Sequence, residues 1–147
     1  NGDPDLIRFP RGLSADRDNL DFSFSGLKTA VMNYVRNHPD VGSADVAASF
    51  QTAVVDVLVK KSRRAAEMVG AKGIVLGGGV AANSLLREEL LGTCATIGVR
   101  GFLPSRAMCT DNAAMIAATG WYRLASDGAT ALDVGAFPNL KLPLLDA

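Results

Sequence analysis

The feature that most limits how this chain can fold is a short junction near its middle. Gly73-Ile74-Val75-Leu76 is an apolar run that stops at Gly77-Gly78-Gly79, and Leu85, Leu86, Leu90 and Leu91 follow at helical spacing. A brief apolar run bounded by glycine suits a buried parallel strand, and leucines so spaced suit an amphipathic helix. The junction predicts strand, turn and helix in that order. Residues 77–79 would end a parallel strand, and the helix would open near Asn83, capped by Asn83 or Ser84.

The rest of the chain supports an α/β reading. A second strand is expected over 99–103, stopped by Pro104. Ser25 can cap a helix carrying Leu27, Val31, Tyr34 and Val35, which ends at Asn37-His38-Pro39 because the residue before proline avoids the α region. A long helix, opened by Ser43 or Asp45 and closed by Gly70, follows. A last one, 113–124, is apolar on nearly every face and is expected to be buried or packed between two layers. The order α-α-β-α-β-α without hairpin signals argues for an α/β sheet. Two strands make an incomplete sheet, and the remaining strands are expected in polypeptide absent here. Residues 1–21, broken by Pro4, Pro10 and Gly12, read as a linker or loop, and 22–147 as the structured part.

Within the long helix, Val46, Phe50, Val54, Val57, Leu58, Ala65 and Met68 form one apolar stripe. Lys61 falls inside it, where it either snorkels or faces a polar cavity between two lobes. Lys60, Arg63 and Arg64 lie to one side, as a solvated helix end or a contact for a phosphate backbone.

Composition narrows the partners. The 147 residues can bury a real core, and 15 Lys+Arg balance 15 Asp+Glu, so no net field recruits nucleic acid or an acidic membrane. Cys94 and Cys109 lack CxxC spacing and a companion histidine cluster, which suggests free buried thiols in a reducing compartment. No apolar run approaches the roughly 20 residues that span a bilayer. The start Asn1-Gly2-Asp3-Pro4, without methionine or a signal peptide, suggests a processed or truncated product of a cytoplasmic protein.

Two places could carry chemistry. Glycines at residues 77–79 let backbone amides approach a ligand, and the following helix N-terminus favours an anion. The run matches neither the Walker pattern nor GxGxxG, so a tight-packing turn and a binding loop both stay open. Asn83 is an N-cap or a ligand contact. Asp111, after a strand and at the start of a helix, is an N-terminal cap or a ligand for a hard or borderline metal. His38, the single histidine, reads as a solvated turn residue.

Three segments together carry a resemblance: Asp21-Phe22-Ser23-Phe24-Ser25-Gly26-Leu27-Lys28-Thr29, then Gly78-Gly79-Val80-Ala81-Ala82-Asn83-Ser84 with Leu86-Arg87, then Cys109-Thr110-Asp111-Asn112-Ala113-Ala114-Met115-Ile116-Ala117. In that order they resemble the bacterial tRNA threonylcarbamoyladenosine transferase family (TsaD), once labelled O-sialoglycoprotein endopeptidase or glycoprotease. The match runs from about residue 8 to about residue 143.

The resemblance implies the C-terminal lobe of a two-lobed fold, actin-like and sugar-kinase-like with ribonuclease H-like sheets. It also implies transfer of a threonylcarbamoyl group from threonylcarbamoyl-AMP to the exocyclic amine of the adenosine beside the tRNA anticodon. Asn83 matches the asparagine that contacts the adenylate, Gly78 and Gly79 the turn bordering that pocket, and Asp111 the aspartate completing an iron or zinc site. The family's HxxxH pair and N-terminal phosphate loop do not occur here, and no residue is nominated as a general base. By resemblance the partners are tRNA, the dimerising paralogue TsaB and the ATPase TsaE. The chain by itself is expected to be inactive, to bind metal weakly and to self-associate. Two alternatives stand beside this reading: a metal-dependent O-sialoglycoprotein endopeptidase, and a non-catalytic interaction module or paralogue.

Overall fold

A computed structural model describes residues 2–13 and 18–139. The chain divides into two compact units, Asn1–Thr110 and Asp111–Ala147, which are taken in turn.

In the first unit, β1 (Gly73–Val75) and β2 (Arg100–Phe102) pair in parallel, with Ile74 opposite Gly101. The glycine at 101 admits the sheet's covering helix: a Cβ there would come within 2.8 Å of Leu91 Cδ2. Three helices accompany the strands: α1 (Ser25–Asn37), α2 (Ser43–Met68) and α3 (Ser84–Thr96). The α/β reading and the order of elements therefore hold, with short 3₁₀ turns at Gly79–Ala82 and Arg106–Met108.

Helix α2 lies at the centre of this unit, and two separate cores form on it. On one face Val55 and Val59 meet Leu86, Leu90 and Cys94, with Ile74, Leu76 and Val99 packed against them. On another, Ala53 meets Ile7, Phe9 and Leu27. The single stripe expected for α2 is corrected accordingly. Phe50 and Met68 are exposed, whereas Ser49, Ala53, Val55, Val57, Val59, Lys61 and Ala66 are buried. A helix covered on two faces has no single apolar direction for a periodicity to find.

The segment read as a linker or loop is packed into a core. Its described residues form no helix or strand, yet Ile7 and Phe9 are core residues. Ser49 explains the attachment: its buried hydroxyl accepts from the Ile7 N–H (3.2 Å) and donates to the Asp3 carbonyl (3.1 Å). The Asp45 carboxylate accepts the Asp3 N–H at 2.8 Å.

Helix starts differ in detail from the sequence reading. Phe24, not Ser25, is the N-cap of α1, whereas α2 opens at Ser43 as expected, with Gly42 at its N-cap; neither N-cap makes a side-chain cap bond. Gly70, at φ +59°, lies just past the end of α2 as expected. Both cysteines are free and buried. No helix among the described residues is long and apolar enough to cross a membrane.

The second unit contains α4 (Ala113–Asp127), closed by Gly128 at φ +78°. Asn112 is its N-cap: Oδ1 accepts the Met115 N–H at 3.0 Å. The expectation of a buried helix is corrected, because α4 has no buried residue, and Trp121, Tyr122 and Ile116 are each about two-thirds exposed. An all-round apolar helix needs cover on every side, and the described residues of the second unit do not supply it.

Candidate functional site

The glycine junction is built as the sequence predicts. β1 ends at Val75, the Leu76 N–H still bonds to the Phe102 carbonyl (2.9 Å), and the chain then turns through residues 77–79. Gly78 has φ +83° and ψ 172°, a conformation open essentially to glycine alone. Among the described residues, a Cβ added at Gly77, Gly78 or Gly79 would meet nothing within 4 Å. Tight packing among the described residues therefore does not account for the run of glycines.

After the 3₁₀ turn, Asn83 caps α3. Its Oδ1 accepts the Leu86 N–H at 3.0 Å, and its Nδ2 donates to Gln51 Oε1 on α2 at 2.8 Å. Of the two expected caps, Asn83 takes the role. Ser84 is the first helical residue, and its hydroxyl accepts from Arg106 Nη2 at 2.9 Å. The cap does not exhaust Asn83: Oδ1 keeps a second lone pair, and Nδ2 a second hydrogen.

Arg87, one turn into α3, ties the loops after the two strands together. Its guanidinium donates to the Ala81 carbonyl (2.9 Å) from the glycine turn and to the Pro104 carbonyl (2.8 Å) after β2. The buried Cys109 thiol lies 3.9 Å from Arg87 Nη1 and bonds to the Ser105 carbonyl. Sequence reasoning quoted Arg87 without a role and missed Gln51. The Gln51-Val55-Val59 row at i, i+4, i+8 was the signal available for the latter.

Other expected positions resolve plainly. Asp111 is exposed and precedes Asn112, so it is not the cap of α4; it falls in the second unit, whereas Gly78, Gly79 and Asn83 lie together in the first. Among the described residues no group of three or more His, Cys, Asp and Glu could hold a metal ion. Among the described residues Asp111 is thus not joined by a donor set of the kind that holds a transition metal. His38 is exposed at the end of α1 and stacks on Tyr34 with centroids 4.1 Å apart. Lys60 pairs with Asp56 and Arg63 with Glu67, both at 2.8 Å, as a solvated helix end does. A groove of about 630 Å³ between the N-terminal segment, α2 and α3 excludes the glycine turn but is lined by Gln51, Asp56, Leu85 and Glu89. The turn is the better candidate for chemistry, because Asn83 keeps a further donor and acceptor beside glycines with space around them.

A parallel strand ending in a glycine turn that feeds a capped helix is the α/β junction found at the carboxyl edge of such sheets, where ligands commonly bind. The chain belongs to the tRNA N6-adenosine threonylcarbamoyltransferase family (TsaD), whose sequence model matches residues 1–118. It is 50% identical over 141 residues to the tRNA N6-adenosine threonylcarbamoyltransferase of Geotalea daltonii, covering 93% of this chain and 41% of the relative. The proteins of that name from Moorella thermoacetica and Clostridium botulinum (strain 657 / Type Ba4) are 48% and 46% identical over 145 residues, covering 96% of this chain and 42% of each relative. The chain thus spans about two fifths of the length of the curated relatives it matches.

Proposed function

We propose that the protein carrying this chain transfers a threonylcarbamoyl group from threonylcarbamoyl-AMP to the exocyclic amine of the adenosine beside the tRNA anticodon. The observation that carries the reading is the geometry at Asn83. A side chain fixed by a helix cap stands at the end of an open glycine turn, in a chain of this family. Asn83 orients the adenylate, and Gly78 and Gly79 line its pocket. An aromatic amine is a weak nucleophile, so the carbamoyl group must arrive as a mixed anhydride, and holding that anhydride in place turns binding into positioning. Asp111 contributes one ligand to an iron or zinc ion whose other ligands come from outside this chain.

The same reading gives the protein an actin-like two-lobed architecture, a cytoplasmic location, and TsaB and TsaE as partners. The test uses the full-length protein with tRNA and threonylcarbamoyl-AMP, reading modified adenosine by mass spectrometry, beside a glycoprotein substrate. Transfer to tRNA that is lost in Asn83→Ala and Asp111→Ala is the expected result. Glycoprotein cleavage without tRNA modification overturns the proposal.

A further inference from the structure

The contact between α2 and α3 is a ladder with a polar last rung. Val55 and Val59 on α2 face Leu86, Leu90 and Cys94 on α3, all buried. One turn before Val55 stands Gln51, and one turn before Leu86 stands Asn83; their amides bond at 2.8 Å. The apolar rungs fix the distance between the two helices, so the polar rung is set by the same packing.

The Leu86 N–H requires the oxygen of Asn83, which leaves its NH₂ facing Gln51, where an acceptor waits. Two bonds of opposite sense allow one orientation of the amide, and a flip would set donor against donor at the cap. We infer that Gln51 is a positioning residue for the nucleotide contact, holding the Asn83 amide so that one N–H and one lone pair face the ligand. The inference rests on the functional reading above, in which Asn83 meets the adenylate. The ligand class is a nucleotide that both accepts from and donates to this amide.

The variants separate the acceptor from the shape. Gln51→Met keeps the length and loses the acceptor, whereas Gln51→Glu retains a carboxylate oxygen for the Asn83 NH₂. In the full-length protein, Gln51→Met raises KM for threonylcarbamoyl-AMP and Kd for AMP about tenfold, the worth of one such bond, with kcat nearly unchanged. Gln51→Glu stays near wild type in KM. In an Asn83→Ala background, Gln51→Met adds nothing further. Wild-type KM in Gln51→Met, or additive effects with Asn83→Ala, overturns the positioning role while leaving the functional reading standing. Equal impairment of the Met and Glu variants with a matching drop in Tm also overturns it, as a purely structural role. A wild type that neither binds AMP nor transfers the group sinks the functional reading, and the positioning role falls with it.

Discussion

Lys61 ends beneath the ring of Phe22, its Nζ 5.7 Å from the centroid, and donates a hydrogen bond to the backbone carbonyl of Asp21. Only 1% of the residue is exposed, which makes it the largest fully buried side chain among the described residues. A buried ammonium needs such partners, and here they belong to the segment that leads into α1. The lysine therefore works as a peg between α2 and that segment.

From this, Lys61→Ala should destabilise the protein by about 2–4 kcal/mol, since it opens a cavity and strands the Asp21 carbonyl. Lys61→Met keeps most of the stem and should cost about 1 kcal/mol. Urea unfolding midpoints of the two variants check the ranking; equal costs would mean that the stem's packing contributes nothing.

Asn83 offers a separation of stability from binding. Asn83→Ala removes the cap of α3 and should cost about 1 kcal/mol in thermal unfolding. Asn83→Asp keeps an oxygen for the Leu86 N–H and adds a charge that suits the helix N-terminus, so its Tm should match wild type. The aspartate has no NH₂ for Gln51 or a ligand, so AMP binding in the full-length protein should fall in both variants.

The three glycines of the turn should not respond alike. Gly78→Ala forces a side chain into φ +83° and should cost about 1–3 kcal/mol. Gly77→Ala and Gly79→Ala meet open space and should stay within about 0.5 kcal/mol. Denaturation curves give the stabilities, and AMP affinity of the full-length Gly79→Ala protein reports whether that open space is used.

Cys94 carries a pH prediction. Burial holds its thiol above the ordinary value of 9.0, so the unfolded chain loses this proton at lower pH than the folded one. The contribution to stability is fully present below pH 9.0 and is lost as pH rises through the folded value. Comparing urea midpoints at about pH 8 and about pH 10, the decline should be smaller in Cys94→Ala than in wild type. Alkylation of the native Cys94 thiol should be slow, and rapid once urea is added.

The legible parts of the fold were those set by local rules. The run 73–76 with its glycines, the leucines of α3 and the oddly placed Lys61 each carried a signal within one turn or strand. Phe50 misled because α2 is covered on two faces, so a single wheel averages two directions; Ser49 was hidden for the same reason. Ile7 and Phe9 sit in irregular backbone, where no period exists to reveal burial. Asp111 lost the cap to its neighbour because Asn112, one residue closer, has the reach to the Met115 N–H.

Arg87 grips its two loops by the carbonyls of Ala81 and Pro104, groups that every amino acid possesses. Side chains at 81 and 104 can therefore change without removing either acceptor, subject only to the space around them. Replacement of Arg87 itself undoes both ties at once. Tolerance to mutation is thus unevenly shared around the junction: the geometry is insured against drift at the positions held and exposed to loss at the position that holds them.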